Sequence, residues 1–292
     1  MVFIIWIALI LLAIWFSWIL FKDYSSLGPG PDHISWVKTG IIGFVVNFFD
    51  VLGIGSFAPQ TALLRFTRQT EDRVMPGTLN VANTIPVLIE AIIFIKVVEV
   101  EPVTLVAMLL SATIGAIFGA WFVSKLSENK IRLTMGIALL VTAGFMVANS
   151  LGWIQGAGTA VGLSGVKLAI AIGVNFILGA LMTAGIGLYA PCMALVFMLG
   201  LSPKVAFPIM MGSCAFLMPP ASVKFIRAGA YNRKAAVGML IPSIIAVLIA
   251  AFIVKSLPLD KLRWIVIAVI IYTSASMLYA VFRKKQEVAQ TS

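Results

Sequence analysis

Runs of roughly twenty apolar residues recur along the chain, and they restrict its fold more than any other sequence feature. Residues 2–21 form the first run, which is uncharged and ends at Lys22 and Asp23. A helix needs about 20 apolar residues to cross the hydrocarbon core of a bilayer. The chain is 61% hydrophobic and 11% charged, whereas a soluble domain is about 25% charged. The sequence therefore predicts an all-α integral membrane protein.

A seven-residue motif occurs twice inside these apolar runs, at 53–59 and at 185–191. Both copies read Gly-Ile-Gly-x-x-Ala-Pro, and they lie 132 residues apart. Glycine costs about 1 kcal/mol and proline about 3 kcal/mol in a helix interior, so each motif predicts a break followed by a new half-helix. Broken backbone at membrane depth is tolerated only where protein buries it or where it lines a wet cavity. We therefore expect both half-helix N-termini to point into the protein at mid-membrane.

The two motifs divide the chain into homologous halves. Residues 2–21 lack the basic start and the small-residue cleavage site of a secretory signal, so they predict one extra N-terminal transmembrane helix. Each half is expected to open with a broken or re-entrant helix that three spans follow. The predicted organisation is an N-terminal helix and loop at 1–37, a first transporter repeat at 38–150, a connector at 151–165, a second repeat at 166–282 and a polar tail at 283–292.

Loop charges bear on whether the broken segments, near 38–66 and near 166–200, cross the membrane or return. If both segments cross, the basic residues divide almost evenly, 11 against 10. If both are re-entrant, the division becomes 15 against 6, which fits the excess of Lys and Arg in cytoplasmic loops. Three spans per half then make the halves inverted repeats, a common transporter plan, with a cytoplasmic C-terminus. We prefer this arrangement, and the crossing alternative stays open.

Composition also limits the partners and cofactors. The net charge of +10 is explained by cytoplasmic loops, so no nucleic-acid partner is expected. The single histidine, His33, lies in a loop, and Cys192 and Cys214 lie in apolar sequence. We therefore expect no cofactor, no metal site and no secreted disulfide framework. The lipid bilayer and a small anion are the expected partners, and a homodimer is left open.

The duplicated motif resembles the sulfite exporter family, TauE/SafE, whose members carry two homologous halves that each open with a glycine-rich break and a proline. The resemblance covers roughly residues 38–282. It implies export of a small sulfur oxyanion, such as sulfite or the organosulfonate sulfoacetate, across the cytoplasmic (inner) membrane. Ser56 and Leu188 stand where many relatives have a third glycine. This departure leaves the substrate open, because both positions adjoin the expected site.

The expected anion site is built from helix N-termini, which carry unpaired N–H groups and about half a positive charge each. Nearby polar side chains would add donors, although they could instead cap the breaks or join helices. Asn80 and Asn83 lie on one helix face because they are three residues apart. The predicted substrate-binding residues are Gly53, Gly55, Ser56, Ala58, Pro59, Gln60, Asn80, Asn83, Gly185, Gly187, Tyr189, Ala190, Pro191, Cys192 and Ser213.

Three ionisable residues within the apolar runs are candidates for proton or charge coupling, namely Asp50, Glu90 and Lys224. Charges within a span are costly unless they are paired or wetted, so each marks a functional site by default. Two alternatives remain for Lys224. It could form a structural ion pair with Glu90, or it could belong with Arg227 to the cytoplasmic basic rim.

Alternating-access export of an anion is the function that the sequence favours. An anion channel or a proton-coupled importer of another small anion would also use broken helices. A membrane-embedded enzyme is disfavoured, because the sequence offers no nucleophile–base or metal constellation. A partner-binding scaffold would have no evident use for duplicated interior breaks.

Overall fold

The computed structural model describes residues 2–28, 33–51, 55–97, 99–153, 158–185 and 187–253, with 264, 267–268, 270–272, 274–275, 277–279 and 281–282. Within these ranges the chain is helical and contains no β-strand, so the predicted all-α class is confirmed. The helices are α1 (Val2–Leu27), α2 (Trp36–Asp50), α3 (Phe57–Phe66), α4 (Met75–Val97), α5 (Pro102–Val123), α6 (Glu128–Ser150), α7 (Gly165–Met182), α8 (Tyr189–Met198), α9 (Pro203–Arg227) and α10 (Arg233–Ile253), with a 3₁₀ turn at Asp72–Val74.

Seven of the described helices are long and apolar enough to cross a membrane, and the other three are short. The long ones are α1, α4, α5, α6, α7, α9 and α10. α2 has 15 residues, and α3 and α8 have 10 each. The predicted span near 263–282 lies partly outside the described residues. Its described positions are helical, and the Ser274 hydroxyl donates to the Gly136 carbonyl of α6 at 2.6 Å.

The two short helices α3 and α8 are equivalent under the 132-residue offset, since Phe57–Phe66 corresponds to Tyr189–Met198. Each follows an interruption at its motif, as predicted. Both helices begin two residues before the motif proline, so Pro59 and Pro191 occupy the third helical position and not the first. Proline is tolerated throughout the first turn because N–H groups there have no intrahelical acceptor. Gly53 of the first motif lies outside the described residues.

Each half contributes a helix that packs against the other half. α2 packs along α10, and α7 packs along α5. A Cβ atom on Gly43 would lie 2.5 Å from the Met239 carbonyl oxygen of α10. In the equivalent interface, a Cβ on Gly115 would overlap the Phe176 carbonyl of α7. Glycine therefore permits close backbone approach at both crossings, and Gly119 does the same against Ala180 of α7.

α4 and α9 form the centre of the molecule. Their most apolar stretches are 72% and 83% buried, more than those of the other candidate spans. The hydroxyls of Thr84 on α4 and Ser222 on α9 are hydrogen bonded at 2.9 Å. The outer helices carry most of the exposed apolar side chains, including Phe118 and Trp121 of α5. The fold thus presents apolar surface to lipid and keeps its polar groups inside.

A hydrogen bond joins the two ends of the first broken segment. We call this segment, which comprises α2, the break and α3, the first hairpin. The backbone N–H of Ser35, just before α2, donates to the Gln69 side-chain oxygen, just after α3, at 2.7 Å. The two ends of the first hairpin therefore lie side by side.

The second broken segment closes in the same way. The second hairpin comprises α7, the break and α8. Lys167 near the start of α7 donates to the Leu199 carbonyl just after α8, at 3.1 Å. The Ser202 N–H donates to the Ala160 carbonyl at 2.8 Å. The two ends of the second hairpin therefore also lie side by side.

The two hairpins close at opposite ends of the helix bundle. At the basic end, Asp72 pairs with Arg65 at the end of α3 and with Arg132 of α6, at 2.9 and 2.6 Å. Asp23 pairs there with Arg233 at 2.7 Å. The other end joins the start of α5 to the connector, where the Glu101 N–H donates to the Val161 carbonyl at 2.8 Å. The Glu101 carboxylate accepts from the Thr104 N–H at 2.6 Å. Hydrogen bonds from Thr104 lower the pKa of the Glu101 carboxyl.

Candidate functional site

A small cavity lies where the N-termini of α3 and α8 meet. Its volume is about 20 Å³, which is room for about one water molecule. Residues of both motifs line it together with residues of α2, α4, α7 and α9. The lining residues are Asp50, Gly55, Ser56, Phe57, Val87, Met182, Gly187, Leu188, Tyr189 and Cys214.

Two helix N-termini give this cavity an electropositive backbone. The first N–H groups of a helix lack intrahelical acceptors, and the aligned peptide dipoles place about half a positive charge there. Ser56 precedes α3 and Leu188 precedes α8, and neither side chain caps its helix by a hydrogen bond. The Ser56 hydroxyl is therefore not used as a cap. Such an end suits an oxyanion, as phosphate sites show.

Gly55 and Gly187, equivalent under the offset, keep the cavity open. A Cβ atom built on either residue would meet no atom within 4 Å, so close packing does not require glycine here. Gly55 has a φ of +88°, where side chains are strained. Gly187 has no positive φ. Its missing side chain leaves space beside the backbone, at the place where the sequence predicts an anion.

Two carboxyl groups are buried at the same place. Asp50 and Glu90 are 1% and 0% exposed. The Tyr189 hydroxyl donates to one Glu90 oxygen at 2.8 Å, and the other oxygen has no hydrogen-bond partner in the described part of the chain. Ser56 faces Asp50, yet neither Asp50 oxygen has a well-formed hydrogen bond to a described residue.

Asp50 and Glu90 also affect each other electrostatically. A negative charge on Asp50 disfavours a negative charge on Glu90. Among the described residues, the ion pairs involve other acids. Unpaired charges are very costly in a low-dielectric interior. It is therefore strongly unfavourable for both carboxyl groups to be charged at once.

The candidate Lys224 lies away from the cavity. It sits one turn before Arg227, at the C-terminal end of α9 and at the basic end of the bundle. Glu90 accepts from Tyr189, and it forms no ion pair with Lys224. The alternative of a structural Glu90–Lys224 pair is therefore wrong. The position of Lys224 agrees with a basic rim.

Several predicted binding residues use their polar groups in hydrogen bonds to another helix or within their own helix. The Gln60 and Asn83 amides exchange two hydrogen bonds, at 2.8 and 2.6 Å, and so join α3 to α4. Ser213 accepts from Asn175 at 3.1 Å, and Asn80 donates to the carbonyl of Pro76 in its own helix at 2.8 Å. None of these predicted residues lines the cavity. Their role in binding stays a prediction.

The remaining predicted residues belong to the hairpin turns and to the first turns of the half-helices. Ala58 and Pro59 lie in α3, and Pro191 and Cys192 in α8, beside the cavity lining but outside it. Ala190 occupies the second position of α8, and its side chain is outside the described set. Gly185 has a φ of +100° and packs against Met135. It shapes the turn without lining the cavity.

The predicted binding residues omit five lining residues, namely Phe57, Val87, Met182, Leu188 and Cys214, although the sequence placed Leu188 next to the expected site. Their side chains are apolar or weakly polar, and such residues are common throughout the chain. One signal was available, because Met182 is the counterpart of Asp50 under the 132-residue offset. The Cys214 thiol contacts the Met182 sulfur at 3.6 Å. The second half thus offers sulfur atoms where the first half offers a carboxyl group.

The fold and the cavity together define a class. Seven of the described helices are able to span a membrane, and one of them, α7, is an arm of the second hairpin. The tips of the two interrupted hairpins share one cavity, so the chain is a multi-pass membrane protein of the transporter type. Comparison with protein-family models matches the family described as Sulfite exporter TauE/SafE over residues 1–146 and 167–292. The chain belongs to the TauE/SafE family. The match includes α1, whereas the resemblance in the sequence was placed from residue 38 onward. No match was found among curated proteins or solved structures.

Proposed function

We propose that the protein exports a small sulfur oxyanion, sulfite or an organosulfonate such as sulfoacetate, across the cytoplasmic membrane. The anion would be held between the N-termini of α3 and α8. One observation carries this proposal: two half-helices related by the repeat open onto a single cavity beside Gly55 and Gly187. Membership of the TauE/SafE family supports the choice of a sulfur oxyanion.

The proposed topology is an inverted repeat. The hairpin bases lie at opposite ends of the bundle, as the Ser35–Gln69 and Lys167–Leu199 hydrogen bonds indicate. Three spans in each half then reverse the orientation of the second half. We place the basic end, which carries Arg65 and Arg132, in the cytoplasm. The C-terminal tail, which is outside the described residues, would lie on the same side.

The size of the cavity favours alternating access over an open channel. At about 20 Å³ it has room for about one water molecule, and sulfite has four heavy atoms. The hairpin tips must separate from each other, or from α4 and α9, before the anion binds. Such a site opens by a conformational step, which makes transport saturable. A channel remains the alternative and would give single-channel currents.

The acids beside the cavity link anion binding to protons in this proposal. An anion between the helix tips would be repelled by ionised Asp50, so it binds best when Asp50 is protonated. Export from a negative interior already gains about 2.3 kcal/mol per charge per 100 mV, so the proton is not needed as a driving force. The protonation of Asp50 would instead determine when the anion can occupy the site. Proton-coupled import is the second candidate function, and the Asp50–Glu90 pair favours it.

Flux into proteoliposomes tests the function. The purified protein would be reconstituted, and uptake of sulfite, sulfoacetate, taurine and thiosulfate would be measured under an imposed voltage and pH gradient. We expect saturable flux of at least one of these sulfur compounds, with no unitary currents in planar bilayers. Currents would favour the channel, and absence of flux for all four would reject a sulfur substrate. Flux that requires an inward proton gradient would favour the importer.

A further inference from the structure

A second cavity, far larger than the first, opens between α1 and α9 at the basic end. Its volume is about 400 Å³, within the range of ligand sites in proteins. We call it the α1–α9 cleft. Its lining residues are Trp15, Trp18, Ile19, Lys22, Asp23, Ser26, Ile226 and Arg227. It shares no lining residue with the cavity at the half-helix tips.

The charge of the cleft is positive. The Asp23 carboxylate is engaged by Arg233 at 2.7 Å and by the Tyr231 hydroxyl at 2.6 Å. Burial, with the nearby Asp23 carboxylate, raises the pKa of Tyr231, which keeps it a neutral donor. Lys22 and Arg227 form no ion pair with a described residue. Two cations therefore face the cleft with no ion-pair partner among the described residues.

The cleft combines these cations with an apolar wall. Trp15 and Trp18 are 37% and 62% exposed, and both lie on α1 on the membrane side of Lys22. The Lys22 ammonium lies 5.7 Å from the Trp18 ring centre. Tryptophan and lysine in this order along a span are typical of the membrane–water interface, where rings lie at headgroup level. This order places the cations at the depth expected for lipid phosphates.

We propose that the α1–α9 cleft binds the headgroup of an anionic phospholipid. Its phosphate lies between Lys22 and Arg227, and its acyl chains run along Trp15 and Trp18. Charge complementarity selects the occupant, because a zwitterionic headgroup would add its own cation to a cleft that already holds two. Basic clefts between helices at the cytoplasmic face are suited to such lipids. The bound lipid joins α1 to α9, one of the two central helices.

Native mass spectrometry of the purified full chain tests the site. The protein would be titrated with phosphatidylglycerol and, separately, with phosphatidylethanolamine of the same acyl chains. We expect phosphatidylglycerol to occupy one tight site and phosphatidylethanolamine to bind more weakly. Each neutralised cation should weaken the tight site about fivefold, so Lys22→Gln and Arg227→Gln together should weaken it about 25-fold.

The chain offers a matched control. Lys125 lies four residues after Trp121, as Lys22 does after Trp18, and its ammonium lies 3.7 Å from the Trp121 ring centre. Lys125 does not line the α1–α9 cleft, so Lys125→Gln should leave the titration unchanged. Lys22→Arg keeps the charge and should retain binding. Because both cleft cations are exposed, the variants are expected to fold, and their thermal unfolding would be measured in parallel.

Four outcomes would overturn the proposal. The double variant could bind phosphatidylglycerol as the wild type does, or both lipids could bind equally. Inorganic phosphate could displace the lipid at equal concentration, which would make the cleft a site for a free anion. A dimer that dissociates in the double variant, with no lipid preference, would instead make the cleft an interface between two copies.

Discussion

At the scale of single residues, Gly187 is the sharpest probe of the proposed anion site. It lines the cavity at the half-helix tips, has no positive φ, and has open space where a side chain would project. Gly55, its counterpart, is less suitable, because its φ of +88° strains any side chain. A change at Gly187 therefore alters the space in the cavity without straining the backbone.

We predict that Gly187→Leu abolishes anion flux while the protein still inserts into the membrane. The leucine side chain would fill the space between the helix tips, and at least a tenfold loss of flux is expected. Gly173→Leu is the control, since Gly173 lies exposed on α7 with no atom within 4 Å of a built Cβ. Proteoliposome uptake and the yield of inserted protein would be compared. Unchanged flux in Gly187→Leu would reject the site.

Asp50 is predicted to set the pH dependence of transport. Wild-type flux should fall as pH rises, because an ionised Asp50 repels the anion and also Glu90. Asp50→Asn removes the ionisable group, so its pH profile should be flatter over the same range. Glu99→Gln, a change at an exposed acid outside the cavity, should keep the wild-type profile. A profile identical to that of the wild type in Asp50→Asn would exclude Asp50 from the mechanism.

At the scale of elements, the two hairpins were largely predictable and their surroundings were not. Glycine at alternate positions and the prolines at 59 and 191 predict the breaks, because both residue types disrupt helices. The equivalence of α3 and α8 follows from the 132-residue offset. The exact starts of α3 and α8, at Phe57 and Tyr189, could not be predicted, because neither Ser56 nor Leu188 caps its helix by a side-chain hydrogen bond.

The position of the polar residues along α4 could not be predicted in the same way. Glu90, Asn83 and Thr84 all lie on α4, and sequence alone gives no partner for any of them. The structure joins them to Tyr189, Gln60 and Ser222, which are contributed by three other helices. Contacts of this kind depend on tertiary packing and leave no periodic signal. Loop charges, by contrast, favoured a returning segment, and the Ser35–Gln69 hydrogen bond agrees.

The glycine crossings give a prediction at this scale. Gly115→Ala would place a Cβ against the Phe176 carbonyl of α7, and overpacking of this kind costs about 1–3 kcal/mol. Gly144→Ala on α6 meets open space, and alanine is a better helix former than glycine by about 1 kcal/mol. The first variant should therefore lower the thermal unfolding temperature in detergent, and the second should not lower it. Equal effects of the two changes would contradict the close crossing.

At the scale of the whole molecule, the asymmetry of charge and the closure of the hairpins predict one orientation. Asp72 holds Arg65 and Arg132 at the basic end, whereas Lys167 closes the second hairpin at the opposite end. The hairpins would enter the protein from opposite faces and meet in the middle. An inverted pair of this kind can open to either side while the site itself stays in place.

Cysteine labelling from either side of the membrane checks this orientation. Lys38→Cys in the first turn of α2 and Arg68→Cys just after α3 mark the two ends of the first hairpin. Both should label from the cytoplasm, whereas Lys204→Cys should label from outside. Cys192 and Cys214 are fully buried, so the parent protein should give little background. Lys38→Cys and Arg68→Cys labelling from opposite sides would show that the first broken segment crosses the membrane.

The distance in sequence between α2 and its partner has a consequence for biosynthesis. Asn47 of α2 donates to Ser243 of α10, 196 residues away, and ribosomes add about 5–20 residues per second. The first hairpin is therefore made ~10–40 s before the helix that completes its packing. Its arms, of 15 and 10 residues, are too short to stay in the bilayer as independent spans. Nascent chains must keep this hairpin sheltered until translation reaches α10, so the order of synthesis differs from the order of assembly.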